Sequence, residues 1–267
     1  MTALSAEFSG AAPARGRLVI AAGMQRSGTR WFCNMLVDIV GEVTGSGTRQ
    51  LRDRYGAHDL LQRYYTPTFK ARLSNRRLRR LEAILADGHT LVFKTHRPPT
   101  AAVRERIADG SAVATYLFRD PRDVVLSALE QGAKMRSQGA LPFRGFARLT
   151  NFNRAARWLQ RELLPVWEEW ASIDGVFTLR YEDLLADPRG MMARTLAHLE
   201  IAAPPDVVDR IVRDYTAANV QDATIRQALE LKNGARGPRR TVLTPDQQRC
   251  LRLRLEPTLL RMGYPVG

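Results

Sequence analysis

A short apolar run followed directly by a glycine-containing loop constrains this chain more than any other feature. Residues 18–22 predict a buried strand and residues 32–37 predict a helix, with the loop 23–31 between them. A loop in that position directs several backbone N–H groups and a helix N-terminus at one point, which favours a phosphate. The sequence therefore predicts an α/β fold with a phosphate site after its first strand.

The loop departs from the nucleoside triphosphatase pattern G-x-x-x-x-G-K-[ST] at two positions. Gly23 and Gly28 keep the glycine spacing. Thr29 stands in place of the lysine, and Arg30 in place of the hydroxyl residue that binds magnesium. The loop therefore keeps the features that hold a phosphate but lacks two that handle Mg-ATP.

Three further apolar runs predict strands, and amphipathic patterns between them predict helices. We expect strands at residues 90–93, 112–118 and 175–179, and helices at about 28–40, 121–133, 151–172, 188–200, 205–214, 217–231 and 245–262. This alternation predicts a three-layer α/β/α fold with a central, mainly parallel sheet. Ligands of such sheets bind where the strands end.

Composition favours one ordinary domain. Of 267 residues, 45% are hydrophobic and 25% are charged, which predicts a domain over 17–267 after a flexible tail over 1–16. No apolar run approaches the ~20 residues of a membrane span, and the tail lacks the apolar segment of a secretory signal. With Cys33 and Cys250 as the only cysteines, we expect a cytoplasmic protein without a disulfide framework or a metal site.

The formal net charge is +14, and lysine occurs only at positions 70, 94, 134 and 232, so arginine supplies most of the positive charge. Such a surplus fits a site for anions or nucleic acid, and it fits equally well a surface of solvated arginines. The run from residue 72 to 80 reads as a solvated helix face. The preference for arginine suits a GC-rich bacterial genome.

Polar and basic residues follow the second and third predicted strands. Lys94 and His96 leave the second strand together, where a histidine can act as a general base and the lysine points to the same side. Arg119 leaves the third strand, and Ser127 lies in the helix that follows. An arginine there can hold a phosphate through two hydrogen bonds, although Arg119 taken alone fits an ordinary ion pair with Asp120 or Asp123 better.

Taken together, these segments resemble the motifs of sulfotransferases that use 3′-phosphoadenosine-5′-phosphosulfate (PAPS). The family's [KR]-S-G-T-T-W is matched by residues 26–31, K-x-H by 94–96, R-[DN]-P-[RK]-D-x-x-x-S by 119–127, and Y-E-D-L-x-x-D-P by 181–188. A late family loop, R-K-G-x-x-G-x-W-K-x-x-[FL]-T, is matched more loosely by residues 232–244. The resemblance extends over about residues 17–262.

The resemblance implies a set of site residues. The PAPS-binding residues would be Arg26, Ser27, Gly28, Thr29, Arg30, Trp31, Arg119, Ser127, Tyr181, Lys232, Asn233 and Gly234. Within this set, Trp31 would stack on adenine, Tyr181 would contact the base, and Arg119 with Ser127 would hold the 3′-phosphate. His96 would be the catalytic base, with Lys94 and Arg26 neutralising the sulfuryl oxygens and the leaving phosphate.

The implied activity is metal-free transfer of a sulfuryl group from PAPS to a hydroxyl or amine of a small-molecule, lipid or sugar acceptor. The products would be the sulfated acceptor and adenosine 3′,5′-bisphosphate (PAP). A kinase-like phosphotransferase on the same scaffold, with Asp120 as magnesium carboxylate, is an alternative, and a basic nucleic-acid-binding protein is a lesser one. Segments 41–75, 134–150 and parts of 215–240 are expected to form the acceptor pocket; acceptor identity and oligomeric state are left open.

Overall fold

A computed structural model describes residues 16–58, 73–215 and 243–266 of the chain. Its central sheet contains the strands β1 Leu18–Gly23, β2 Leu91–Thr95, β3 Ala112–Phe118 and β4 Val176–Arg180. They lie in the order β2-β1-β3-β4, and every neighbouring pair is parallel. Ala22 near the end of β1 lies opposite Thr95 and Tyr116. The carboxyl ends of β2, β1 and β3 therefore meet at one edge of the sheet.

Helices connect and cover the strands. Within the described residues they are α1 Thr29–Thr44, α2 Thr48–Arg54, α3 Asn75–Ala86, α4 Ala101–Ala108, α5 Pro121–Ser137, α6 Phe152–Trp158, α7 Leu164–Ala171, α8 Tyr181–Ala186, α9 Pro188–His198, α10 Pro205–Asp214 and α11 Pro245–Arg261. A 3₁₀ turn spans Gly145–Arg148, and a π turn, Leu159–Leu163, joins α6 to α7. Pro165, which has no N–H to donate, follows that turn, so the predicted helix 151–172 is one run widened in the middle.

The strand residues alternate between two buried clusters, which explains the layers. Leu18 and Ile20 of β1 contribute to a cluster with residues of α3, α5, α6, α7 and α11. Val19 and Ala21 contribute to a second cluster with residues of α1, α9 and α10. Because successive side chains of a strand point to opposite faces, both faces of the sheet are covered. The three-layer α/β/α fold is confirmed.

Most predicted elements are present at nearly the expected places. All four strands lie within two residues of their predicted limits, and the helices α1, α5, α9, α10 and α11 were each predicted. Helices α4 and α8 were not predicted. The helix predicted at 217–231 lies outside the described residues, as does the tail at 1–16 except Gly16. None of the described helices is both long and apolar enough to cross a bilayer.

Candidate active site

The loop after β1 reverses direction through two residues in the left-handed region. Arg26 has φ 69°, and Gly28, which caps α1, has φ 75°. The Thr29 hydroxyl donates to the carbonyl oxygen of Met24 at 3.1 Å and closes the loop. A left-handed conformation costs a non-glycine residue roughly 1–2 kcal/mol. Successive N–H groups of such a loop turn toward one side, which is the geometry of an anion-binding nest.

Ser27 lies in the middle of this loop and is fully buried. Its hydroxyl has no hydrogen-bond partner among the described residues. Buried hydroxyls are nearly always hydrogen-bonded in folded proteins. The loop therefore presents a donor that is suited to an oxygen of a bound group.

Two glycines of the loop are required by close contacts. A β-carbon on Gly28 would lie 2.6 Å from Cε2 of Tyr181, and one on Gly23 would lie 2.7 Å from the hydroxyl of Thr29 and 2.9 Å from the carbonyl oxygen of Leu117. Real β-carbons do not approach other atoms this closely. The glycine spacing of the motif thus lets the loop pack against β3 and against the first residue of α8.

Arg26 is brought to the helix after β3. Its Nε donates to the Ser127 hydroxyl at 3.1 Å, and its guanidinium lies 5.7 Å from the ring centroid of Phe146. Ser127 is buried within α5. Two motifs separated by 101 residues are therefore joined directly. The motif predicted that Ser127 acts together with Arg119. In the structure, the Ser127 hydroxyl accepts a hydrogen bond from Arg26.

Arg119 follows β3 directly and is 7% exposed. One of its terminal nitrogens donates to Asp123 at 3.2 Å, which is one of the two ion pairs that the sequence left open. Its guanidinium lies 4.7 Å from the ring centroid of Tyr181, in cation–π geometry. The Nε atom is buried and has no hydrogen-bond partner among the described residues. Arg119 thus retains a donor for an anion.

His96 follows β2 and bonds to the end of β1. Its Nδ1 lies 2.6 Å from the carbonyl oxygen of Gly23, so Nδ1–H donates and the lone pair of the neutral ring is on Nε2. Burial lowers the pKa of His96 to about 3, helped by the charges of Lys94 and Arg30 and opposed by the bond to Gly23. The imidazole is therefore neutral at physiological pH, the form in which it can accept a proton.

Lys94 is the half-buried neighbour of His96 on β2. Its charge acts on the buried thiol of Cys33 in α1, whose pKa burial raises to about 11. Lys94 therefore lies close enough to both Cys33 and His96 for its charge to act on them. The sequence grouped these two basic residues, and the structure brings them together.

Asp120, the carboxylate that a kinase mechanism would need, is engaged by Arg122. The Arg122 Nε donates to Asp120 Oδ1 at 3.0 Å and a terminal nitrogen donates to Oδ2 at 2.8 Å, and both side chains are buried. Asp120 also accepts the backbone N–H of Arg122 and so caps α5. Its role in the structure is to begin this helix. Among the described residues, no group of three or more His, Cys, Asp or Glu side chains is placed to hold a metal ion.

Trp31 is 8% exposed and packs in the cluster on the α1 side of the sheet. Its Nε1 donates to the carbonyl oxygen of Tyr215 at 3.1 Å. Tyr215 is the last described residue before the gap at 216–242. Stacking of adenine on Trp31 stays a prediction. Lys232, Asn233 and Gly234 lie outside the described residues.

Sequence reasoning missed two residues beside Arg119. Glu182 accepts the backbone N–H of Asp120 at 3.2 Å, and Tyr264 donates its hydroxyl to Glu182 at 2.7 Å. Glu182 lies inside the matched Y-E-D-L segment, so the motif could have identified it as a candidate site residue. Tyr264 follows α11 and belongs to no motif, so the pattern gave no indication of it.

Comparison with known proteins agrees with this geometry. The family described as "Sulfotransferase domain" matches residues 17–250. The chain belongs to this family, and the resemblance drawn from the motifs is confirmed. No curated protein sequence matches the chain at a significant level.

Solved structures with the same fold include two enzymes in complexes with PAP. Retinol dehydratase, in a complex with androsterone and the inactive cofactor PAP, is 19% identical with a TM-score of 0.55, and the match covers 93% of this chain and 82% of that one. Mouse sulfotransferase SULT7A1, in a complex with PAP, is 14% identical with a TM-score of 0.56, and the match covers 91% and 84%. At these identities the similarity concerns the fold.

Proposed function

We propose that this sulfotransferase transfers a sulfuryl group from PAPS to a hydroxyl or amine of a small-molecule, lipid or sugar acceptor, without a metal ion. The observation that carries the proposal is the meeting, at the ends of adjacent parallel strands, of the loop 23–31, His96 and Arg119. Both neighbouring enzymes were crystallised with PAP.

The residues present fit a nucleotide with phosphates at two ends. The loop after β1 offers N–H groups and the buried hydroxyl of Ser27, which lacks a partner in the described part of the chain. Arg119 offers a buried Nε donor at the end of β3. It lies near the loop after β1, because its guanidinium packs on the ring of Tyr181 and that ring contacts Gly28. Two separate anion sites therefore flank Tyr181, as a 3′,5′-bisphosphate requires.

His96 is suited to accept the proton of the attacking acceptor at Nε2. The bond from Nδ1 to the Gly23 carbonyl fixes the tautomer and the ring orientation. PAPS, when bound, supplies an activated sulfuryl group on its 5′-phosphate. Proton removal at Nε2 makes the acceptor oxygen or nitrogen a better nucleophile as it attacks.

Arg26 and Lys94 supply fixed positive charge for the same step. Arg26 is oriented by Ser127 and by the ring of Phe146, so it needs little reorganisation to stabilise negative charge on the departing phosphate. Lys94, beside His96, would neutralise the sulfuryl oxygens. Arg30 takes the loop position that in nucleoside triphosphatases holds the magnesium ligand, which is why a metal ion is not part of the proposal.

A small-molecule acceptor is the form of substrate that we favour. The complexes of retinol dehydratase contain androsterone and retinol, which are both small molecules with a hydroxyl group. The segment 134–150, which we expected to border the acceptor pocket, exposes Phe143 and Leu141. Because Cys33 and Cys250 are both free thiols, we also propose a reducing, cytoplasmic setting.

Nucleotide binding tests the proposal directly. Purified protein titrated with PAP in a calorimeter should bind in the micromolar range or tighter. In a thermal-shift series, PAP should raise Tm while Mg-ATP leaves it nearly unchanged, because binding to the native state stabilises it by mass action. Stabilisation by Mg-ATP alone would instead support a phosphotransferase.

A further inference from the structure

A chain of contacts beside Arg119 leads away from the nucleotide site to the segment that follows α11. The Tyr264 hydroxyl donates to Glu182 Oε2 at 2.7 Å, and Glu182 Oε1 accepts the backbone N–H of Asp120 at 3.2 Å. The Nε of Arg119 lies 4.0 Å from that same Oε1, beyond hydrogen-bond distance. Two donors thus hold Glu182 next to the guanidinium in a long ion pair, without a hydrogen bond to it.

Tyr264 is itself fixed by the ends of two strands. It is 6% exposed, and its ring meets Phe118 edge-on with 6.1 Å between centroids. The guanidinium of Arg180 lies 5.7 Å from the centroid of the same ring, and another nitrogen of Arg180 donates to the carbonyl oxygen of Gly263 at 3.2 Å. Phe118 and Arg180 are paired in the β3–β4 register. Tyr264 therefore packs against Phe118, the residue that precedes Arg119, and against its strand partner Arg180.

The hydroxyl of Tyr264 can donate to Glu182 throughout the physiological pH range. Burial and the neighbouring Glu182 carboxylate raise the pKa of Tyr264 well above its usual range. The phenol therefore stays protonated and supplies Glu182 with a stable hydrogen bond. The Glu182 side chain is 38% exposed, so without this hydrogen bond the carboxylate is free to turn toward another donor.

We propose that Tyr264 and Glu182 are positioning residues for recognition of the 3′-phosphate, with the Tyr264 hydroxyl keeping the Glu182 carboxylate from a direct hydrogen bond with the Arg119 Nε. This inference rests on the proposed function, in which Arg119 binds the 3′-phosphate. The Arg119 Nε lies 4.0 Å from Glu182 Oε1 and has no hydrogen-bond partner among the described residues, so it is a donor that the released carboxylate can take. A direct hydrogen bond between them would occupy the donor that the phosphate needs.

Tyr264→Phe tests the proposal, since it keeps the ring and removes only the hydroxyl. In calorimetric titrations, the affinity for PAP should fall about 5- to 10-fold, which is within the range of one ordinary hydrogen bond. The affinity for adenosine 5′-monophosphate, which has no 3′-phosphate, should stay within about twofold. Tyr55→Phe is the matched control, because it removes a tyrosine–carboxylate contact, to Asp87, at an exposed position. It should change neither affinity.

The double variant Tyr264→Phe/Glu182→Gln separates this role from a merely structural one. A neutral amide still accepts the Asp120 N–H but does not compete for Arg119, so the affinity for PAP should return to within about twofold of the wild type. Glu182→Gln alone should bind PAP as tightly as the wild type or more tightly, because it removes a negative charge near the phosphate site.

Several outcomes would overturn the proposal. They are an unchanged PAP affinity in Tyr264→Phe, an equal loss for both nucleotides, a loss that persists in the double variant, or weaker PAP binding by Glu182→Gln alone. Should Tyr264→Phe not fold, the result for Glu182→Gln decides. Failure of the wild type to bind PAP would contradict the proposed function instead, so the two failures are distinguishable.

Discussion

The ring of Tyr181 lies directly on the backbone of Gly28, with no room between them for a β-carbon. This contact joins the loop after β1 to the first turn of α8, and the guanidinium of Arg119 covers the same ring. The two anion sites that we propose would therefore be separated by one aromatic ring. Any side chain at position 28 would separate them.

Gly28→Ala should consequently damage both stability and nucleotide binding. The left-handed φ of 75° costs roughly 1–2 kcal/mol for a residue with a β-carbon, and the contact with Tyr181 forces a further shift. We expect at least about 2 kcal/mol lower unfolding free energy in urea and at least about tenfold weaker PAP binding. Gly45→Ala is the control, since φ is 63° there but no atom lies within 4 Å. It should lose stability only and bind PAP normally.

His96→Ala should reduce turnover by about 100-fold or more, since general-base catalysis contributes that much. Binding of PAP should stay within a few-fold, because the ring is held by the Gly23 carbonyl and is assigned to the acceptor side. Steady-state kinetics and calorimetry measure the two effects. His89→Ala, at the opposite end of β2, is the control and should be nearly as active as the wild type. Unchanged turnover in His96→Ala would remove the histidine from the mechanism.

The protonation of His96 offers a pH-dependent test. Its pKa in the folded protein is lowered from 6.5 to about 3, so the unfolded chain binds this proton more readily. The contribution of His96 to stability is therefore full above about pH 6.5 and falls as the pH drops toward 3. In the free protein, NMR should show the His96 imidazole still neutral at pH 5.

Bound phosphates should shift that titration upward. Their negative charge favours the imidazolium, so saturation with PAP is expected to raise the pKa of His96 by about one unit or more. The comparison needs the His96→Ala spectrum to assign the resonance. A midpoint near 6.5 in the free protein would contradict the buried, bonded ring.

The hydrophobic pattern of the sequence was sufficient to predict the sheet, because each strand is a short apolar run that ends where the apolar pattern stops. Strand β3 and helix α10 begin and end at the predicted residues. Helix α4 was missed because only Val103 in it is buried, so it has almost no periodic signal. Helix α8 was missed because it is only six residues long and coincides with the Y-E-D-L motif, which we interpreted as a binding segment and not as a helix.

The contacts between motifs depended on the fold. Sequence spacing placed Ser127 beside Arg119, on the same helix and strand end, whereas the Arg26 side chain reaches Ser127 from another strand. The bond from His96 to Gly23 likewise joins two strands that are neighbours only in the folded sheet. Tyr264 had no motif to identify it, since its contact with Glu182 spans 82 residues.

Arg119→Ala should weaken PAP about 10- to 100-fold, as expected for loss of charge-assisted hydrogen bonds. Adenosine 5′-monophosphate should lose much less, because the loop 23–31 would still bind its phosphate. Calorimetric titration with both nucleotides gives the ratio. Arg97→Ala, which removes an exposed arginine next to His96, controls for the general effect of charge. Equal losses for the two nucleotides would refute the assignment of Arg119 to the 3′-phosphate.

Chelation tests the absence of a metal ion from the proposed mechanism. Arg30 stands where a magnesium-binding hydroxyl would be. The Asp120 carboxylate accepts hydrogen bonds from Nε and from a terminal nitrogen of Arg122. Positive side chains would then supply the charge that magnesium supplies in phosphoryl transfer. We expect the rate of sulfuryl transfer to stay within about twofold after dialysis against EDTA, under conditions in which a magnesium-dependent kinase assayed in parallel becomes inactive. A loss of activity that added Mg²⁺ restores would show that the arginines do not replace the ion.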